Sequence, residues 1–568
     1  MFRLTVLLCL LATPALSQSR ANPEAATGWT AKPDVVAERH MIVAANPHAS
    51  EAGRMILREG GSAADAAISA LLVLNVVEPQ SSGIGGGAFA LIHGPDGLTS
   101  FDARETAPSA ATPELFFKDG EKMGWREAVP TGRSIGVPGL VELMHMLHAR
   151  HGRLHWPRLF RPAIELAETG FAVSPRLAGL VETYRDRLEG TDAAKVFLPG
   201  GEPVAEGDLM RNRPLARTLR RLALSGPELF YEGALAQAIV RSVRAGDVPG
   251  ELTTADFASY EVIERAPVCM AFFSFEVCGM GPPSSGATTV GQILGLLAAK
   301  GEIEIGASGA HQFAEASRLA YADRAAFLAD PDQVKVPVKG LLDPLYLAER
   351  AELISRYLAA EGPAEAGDPP WQEGRWAPDA GKTSPGTTHL SVIDADGLAI
   401  SLTASIETAF GSKRMAGGFL LNNQLTDFSF SPTDAEGTPI VNAPDAGKRP
   451  RSSMAPTIVL KEGDVVLLTG SPGGSRIPEY VAGSLISILK RGMTPAEAAA
   501  QGHISHRNRG KIVLEEGISA LLAEALEIKG HEVEFGALTS GLHIIEVMED
   551  GRLMGGADPR REGIALGD

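Results

Sequence analysis

Polar and apolar residues alternate along TTHLSVIDADGLAISLTAS, residues 387 to 405, and the alternation breaks at Asp394-Ala395-Asp396-Gly397. A period of two on either side of an Asp-Gly turn predicts a β-hairpin, with strands over 389–394 and 398–405 and Thr387 at the head of the first. Two apolar runs in PVCMAFFSFEVCGM, 267 to 280, predict a second hairpin centred near Phe273-Ser274. From Ala44 to Pro79 the period becomes helical, and Gly60-Gly61 divides this stretch into two short helices, the second apolar enough to be buried. SSGIGGGAFALIH, 81 to 93, reads as a glycine-rich turn running into a strand, and FDARETAP, 101 to 108, follows another strand. PTGRSIGVPGLVELMHMLHARHG, 130 to 152, reads as a turn and an amphipathic helix, and a helical middle extends over about 155–245. GPPSSGATT at 281–289 reads as a turn entering a helix, and EASRLAYADRAAFLADPD at 315–332 as a helix with charged ends. Residues 359–386 are rich in Pro, Gly and Ala and are expected to form a mobile surface segment.

At 568 residues and 44% hydrophobic composition the chain can bury a large core, either as two or more domains or as one large two-sheet domain. Lys and Arg number 52 against 69 Asp and Glu, a net charge of −17, which argues against a basic stripe for nucleic-acid phosphates. MFRLTVLLCLLATPALS has one positive charge, an apolar stretch and a small-x-small end, so residues 1–17 are expected to be a secretory leader. Pro14 argues against the alternative of a buried N-terminal helix. Export to the periplasm or the medium follows, and the lack of any Asn-x-Ser/Thr sequon fits a bacterial envelope. No later apolar run is long enough for a membrane span. Loss of the leader removes Cys9 and leaves Cys269 and Cys278, for which a disulfide and two buried thiols are both open.

Thr387 follows Gly386, and cleavage between them would give the threonine a free α-amine next to its own hydroxyl. Such an amine serves as the base that activates the hydroxyl. A threonine heading a strand is ordinary by itself. Its company is more telling: LLNNQLTDFS at 420–429, KRPRSSMAPTIV at 448–459 and TGSPGGSRI at 469–477. In order and spacing these stretches resemble the γ-glutamyltransferase (glutathione hydrolase) family, and the resemblance spans nearly the whole chain after the leader.

The resemblance implies an α+β fold, a four-layer αββα sandwich of the N-terminal-nucleophile type. It also implies self-cleavage into a large subunit, 18–386, and a small catalytic subunit, 387–568. Thr387 would attack γ-glutamyl amides such as glutathione, and water or an amino-acid or peptide acceptor would resolve the acyl-enzyme. No metal or organic cofactor is implied. Residue by residue, Ser405 matches the hydroxyl that bonds the nucleophile, and Gly473 and Gly474 match the oxyanion hole. Arg104, Ser452 and Ser453 match groups that hold the substrate α-carboxylate, and Gln424 and Asp427 match groups that hold its ammonium. From pattern alone, Ser405 could be an outward strand serine, Gln424 and Asp427 turn residues, and Arg104 a surface partner of Asp102 or Glu105.

Two positions depart from the family. Glu407 stands where an Asn is usual, and the lid-length segment 429–447 lacks the Tyr of some relatives. Glu407 motivates a second reading, an amidase for a glutaryl- or oxamate-type acyl group. A third is a secreted binding protein that is never processed. The glycines at 81–93 are not followed by the Lys-Ser/Thr and helix of a phosphate loop, so close backbone packing is expected there. His145, His148 and His151 recur every third residue with no carboxylate or Cys partner arranged around them, which predicts a half-exposed helix face rather than a metal site.

Overall fold

The computed structural model describes residues 26–379, 381 and 386–568; the expected leader lies outside them. Among the described residues two seven-stranded sheets dominate. Their strands, in chain order, are β1 (Val35–Ala37), β2 (Met41–Ala44), β3 (Gly87–Gly94), β4 (Gly97–Ala103), β5 (Ile263–Arg265), β6 (Val268–Phe272) and β7 (Phe275–Gly279). They continue with β8 (Thr387–Ile393), β9 (Ala399–Ser405), β10 (Thr457–Lys461), β11 (Asp464–Thr469), β12 (His543–Val547), β13 (Leu553–Ala557) and β14 (Ile564–Gly567). The first sheet has the order β14-β2-β8-β9-β3-β4-β5 and the second β1-β13-β12-β11-β10-β7-β6. The predicted hairpin β8–β9 lies at the centre of the first sheet, with Thr387 directly opposite Ser405 and Ser405 opposite Gly87 on β3.

Helices cover the outer face of each sheet. On the first sheet these include α1 (Pro47–Arg58), α2 (Ala63–Val77), α3 (Leu140–His151) and α4 (Trp156–Thr169). Asn46 caps α1, and a Ser62–Asp65 capping box starts α2, which is buried on every side as its predominantly apolar sequence requires. Their side chains meet Leu390, Val392, Leu402 and Ala404 of the central hairpin in one apolar cluster. The second sheet is covered by α5 (Gly286–Ala299), α6 (Gly306–Phe327) and α7 (Ile477–Leu489), whose cluster also takes in Met41, Val43, Phe89 and Leu91 from the inner face of the first sheet. Helix, sheet, sheet and helix thus form four layers, the αββα architecture of N-terminal-nucleophile hydrolases.

β8 and β9 alternate as predicted, but their polar face does not reach solvent: every residue of both strands is buried. Thr387, His389, Ser391, Ser401, Thr403 and Ser405 point between the sheets, where Ser391 donates to the His543 carbonyl (3.0 Å) and Ser401 to the Thr469 carbonyl (3.2 Å). Burial, then the neighbouring His543, hold His389 well below the usual imidazole range, so it is neutral.

The glycines at 85 and 86 serve close packing. A Cβ on Gly85 would lie 2.0 Å from the Leu420 carbonyl oxygen, and one on Gly86 2.1 Å from that of Ser405. Cys269 and Cys278 face each other across β6–β7 and form a disulfide, which decides between the two alternatives left open. The three histidines of α3 are half-buried, and His148 is bonded to the Leu154 carbonyl (2.8 Å). The Pro/Gly-rich segment is irregular and, over 359–379, mostly exposed, with a few anchors to the body. Ala364 and Asn508 exchange hydrogen bonds, Ala377 pairs with Ile440, and Asp379 is 1% exposed with its carboxylate 2.7 Å from Arg451. Composition does not show the last anchor, because it is one carboxylate matched to an arginine 72 residues away.

Candidate active site

Thr387 begins β8 at the edge of the polar layer, still joined to Gly386. Its hydroxyl donates to Ser405 Oγ (3.3 Å), and Ser405 donates onward to the Gly386 carbonyl oxygen (2.7 Å). The Glu407 N–H donates to the same Ser405 oxygen (2.8 Å), fixing its rotamer. One serine therefore orients the Thr387 hydroxyl and polarises the carbonyl that precedes it. Register produces this: residues directly opposite on antiparallel strands have side chains about 5 Å apart on one face.

Gly386 is confined. A Cβ there would approach the Glu407 carbonyl oxygen to 2.1 Å and the Thr408 carbonyl carbon to 2.6 Å. The loop behind it is unusual, since Glu407, Phe410 and Lys413 have φ of +79°, +66° and +63°, a left-handed backbone that non-glycine residues seldom adopt. The Lys413 ammonium clasps the loop from within, donating to Thr408 Oγ1 (3.1 Å) and the Gly411 carbonyl (2.6 Å).

A narrow recess opens from Thr387. It is lined by Arg104, Ser405, Glu407, Gln424, Asp427, Ser452, Ser453 and Gly474, together with Met454 and Ile477, which sequence reasoning did not single out. Of the ten residues named from sequence, Gly473 alone does not line it; it precedes Gly474 in the turn between β11 and α7. Both glycines have positive φ, and no described group accepts either of their N–H groups. The 429–447 segment contributes nothing to the lining.

Arg104 is 1% exposed, not a surface residue. Its Nη2 donates to Asp427 Oδ2 (2.5 Å) and the Arg451 carbonyl (3.1 Å), and its Nε to the Pro450 carbonyl (3.0 Å). Asp102, one of the two sequence candidates for its partner, pairs with Arg265 and Arg449. The Nη1 end of Arg104 has Glu105 as its nearest carboxylate, 3.9 Å away. Glu105 is fully buried with neither oxygen hydrogen-bonded, and burial pushes its carboxyl up to about 8 despite the pull of Arg104, so it is largely protonated at neutral pH.

Gln424 and Asp427 lie on a single 3₁₀ turn, Gln424–Asp427. Gln424 Nε2 donates to Glu407 Oε2 (3.2 Å) and Asp427 Oδ2 (3.1 Å). This leaves Gln424 Oε1 and Asp427 Oδ1 buried without a donor. Ser453 receives a hydrogen bond from Arg324 on α6 (2.7 Å). The sequence shows Arg324 only as a charge on a helix, because its partner lies 129 residues away.

A threonine at a strand head, its hydroxyl relayed through a serine to the carbonyl of the preceding residue, within an αββα sandwich, defines an N-terminal-nucleophile hydrolase. The chain belongs to the γ-glutamyltranspeptidase family, whose profile matches residues 49–568. It is similar to the glutathione hydrolase proenzyme of Bacillus subtilis (strain 168), 34% identical over 99% of this chain and 97% of that protein. It is also similar to the acylase ACY 1 proenzyme of Pseudomonas sp. (strain V22), 33% identical over 95% of this chain and 96% of that one. Among solved structures, the cephalosporin acylase from Bacillus halodurans superposes with a TM-score of 0.83 at 26% identity, covering 99% of both chains.

Proposed function

We propose that the chain cleaves itself between Gly386 and Thr387, and that Thr387 then attacks γ-glutamyl amides such as glutathione. In the first reaction the Thr387 oxygen adds to the Gly386 carbonyl carbon, the C–N bond breaks, and water hydrolyses the resulting ester to a Gly386 carboxylate and a free Thr387 amine. In the second, that amine takes the hydroxyl proton as Oγ1 adds to the substrate carbonyl, with the Gly473 and Gly474 N–H groups receiving the oxyanion. The leaving amine departs, and water or an amino-acid or peptide acceptor takes the acyl group.

The observation that carries the γ-glutamyl reading is the pair of donorless oxygens, Gln424 Oε1 and Asp427 Oδ1, next to the Arg104 guanidinium. Buried acceptors without donors are rare, and an ammonium supplies what they lack. The Nη1 end of Arg104, with Ser452 and Ser453, suits a carboxylate on the same head group. Relatives named glutathione hydrolase proenzymes support both steps. Glu407 and the acylase relatives support a second reading, an amidase for a glutaryl-type acyl group. Comparing kcat/KM on γ-glutamyl and glutaryl anilides separates them, because only the first bears the ammonium. A γ-glutamyl preference of tenfold or more is expected, and an equal or reversed preference moves the acylase reading to the front. The enzyme is further proposed to act outside the cytoplasm, in keeping with the leader and the Cys269–Cys278 disulfide.

A further inference from the structure

Behind the end of the recess where Arg104 and Asp427 meet lies a layer of buried polar groups, and one of them belongs to the segment ahead of Thr387. Asp379 Oδ2 accepts from Arg451 Nη2 (2.7 Å) and from Asn442 Nδ2 (3.0 Å), and all three residues are buried. Both partners lead to the recess. The same Asn442 Nδ2 donates to the Asp427 backbone carbonyl (2.7 Å), and Asn442 Oδ1 accepts from the Arg451 N–H (3.0 Å). The Arg451 carbonyl accepts in turn from Arg104 Nη2 (3.1 Å), and Ser452 and Ser453 follow it directly in the chain. One carboxylate thus joins the backbone under Asp427 to the backbone that seats Arg104.

The bonds that hold this segment do not run through the Gly386–Thr387 peptide. The Ala377 N–H donates to the Pro439 carbonyl (2.9 Å) and the Asp379 N–H to that of Ala325 (2.8 Å). The Gly381 N–H donates back to Asp379 Oδ1 (2.6 Å), and the Gly381 carbonyl accepts from Arg509 (3.1 Å). Cutting the chain after Gly386 removes none of them. The Asp379–Arg451 pair also resists separation. Withdrawing the carboxylate would leave a buried guanidinium held by the carbonyls of Arg324 (3.1 Å) and Leu328 (3.4 Å), and a buried charge stripped of its partner is strongly destabilising.

We propose that Asp379 is a positioning residue for the Arg104–Asp427 end of the recess, and that residues 377–381 stay docked after self-cleavage. The tail of the large subunit then completes the mature site. The proposal rests on the self-cleavage and head-group reading given above.

The test uses the purified, self-processed enzyme and the variants Asp379→Ala, Asp379→Asn and Asp379→Ala/Arg451→Met. The last removes both charges, so it separates the role of Asp379 from the instability of a stranded arginine. Steady-state rates are taken on whichever of the γ-glutamyl and glutaryl anilides turns over, so failure of the γ-glutamyl reading shows as a preference between the two and leaves the comparison standing. KM should rise about tenfold in Asp379→Ala and in the double variant, the scale of one charge-assisted hydrogen bond, and by less in Asp379→Asn, which keeps an acceptor for Asn442. Among the described residues no hydrogen bond of Asp379, Asn442 or Arg451 reaches Thr387, Ser405 or the Gly473–Gly474 turn, so kcat should stay within about threefold. A loss of folded enzyme alone would lower kcat at unchanged KM. Hydrogen–deuterium exchange on the cut enzyme reads the docking without chemistry: the amides of Ala377, Asp379 and Gly381 should be protected in the wild type and lose protection in Asp379→Ala. A single uncut band marks failure of self-cleavage itself and takes the proposal with it. In a cut enzyme, an unchanged KM in Asp379→Ala, a wild-type KM in the double variant, or unprotected amides at 377–381 in the wild type overturns the proposal alone.

Discussion

Gly386→Ala isolates the geometry on which the proposed self-cleavage depends, because it leaves Thr387, Ser405 and the recess chemically intact. The added Cβ would lie 2.1 Å from the Glu407 carbonyl oxygen. An ordinary van der Waals contact is about 3.5 Å, so one side must yield by roughly an ångström. The Glu407 side is poorly able to move, since its N–H is bonded to Ser405 Oγ and its backbone is already left-handed. Displacement therefore falls on the Gly386 carbonyl, which loses its 2.7 Å hydrogen bond from Ser405 and its alignment with the Thr387 hydroxyl. A misplacement of about 1 Å costs on the order of 10²-fold in rate, and loss of a donor to the developing oxyanion costs about 10²–10³. Cleavage should slow by at least about 10²-fold. The assay is a time course of freshly synthesised precursor on denaturing gels, with intact mass and N-terminal sequence of the products and Thr387→Ala as the uncut reference. Near-UV circular dichroism matching that reference establishes that the variant is folded. Appearance of a chain beginning Thr387-Thr388-His389 at the wild-type rate in Gly386→Ala would refute the reasoning, as would any cleavage in Thr387→Ala.

Ser405→Ala removes the hydroxyl between Thr387 and the Gly386 carbonyl, and precursor half-life should lengthen about 10²–10³-fold; a change under threefold would mean that the serine only fills space. Glu105 makes a pH prediction. Its folded-state carboxyl is raised from 4.5 to about 8, so between those values the native state holds a proton that the unfolded chain has released, and stability falls as pH rises from about 4.5 to 8. In Glu105→Gln this contribution vanishes, and thermal melts at pH 5 and pH 8 should differ by less than in the wild type. An equal difference in both proteins would remove Glu105 from the account.

The sequence by itself determined the local elements and the chemistry at one point on them. Alternation from 387 to 405 with its Asp-Gly turn placed Thr387 at a strand head, the period between 44 and 79 set two helices, and the apolar runs at 267–280 brought Cys269 and Cys278 opposite one another. Those signals are local because strand and helix periods are expressed within a few residues. The family resemblance then named ten site residues, nine of which line one recess. What the polar face of the central hairpin meets was a tertiary matter: alternation reads as one wet side, and only the stacking of a second sheet turns that side into a buried polar layer. Arg104 meeting Asp427 across 323 residues, Asp379 meeting Arg451 and Arg324 meeting Ser453 likewise follow from sheet order and loop packing, which no local period encodes. The protonated Glu105 is the extreme case. Its residue type predicts a charge, and only the burial that the whole fold imposes on it pushes its carboxyl up to about 8.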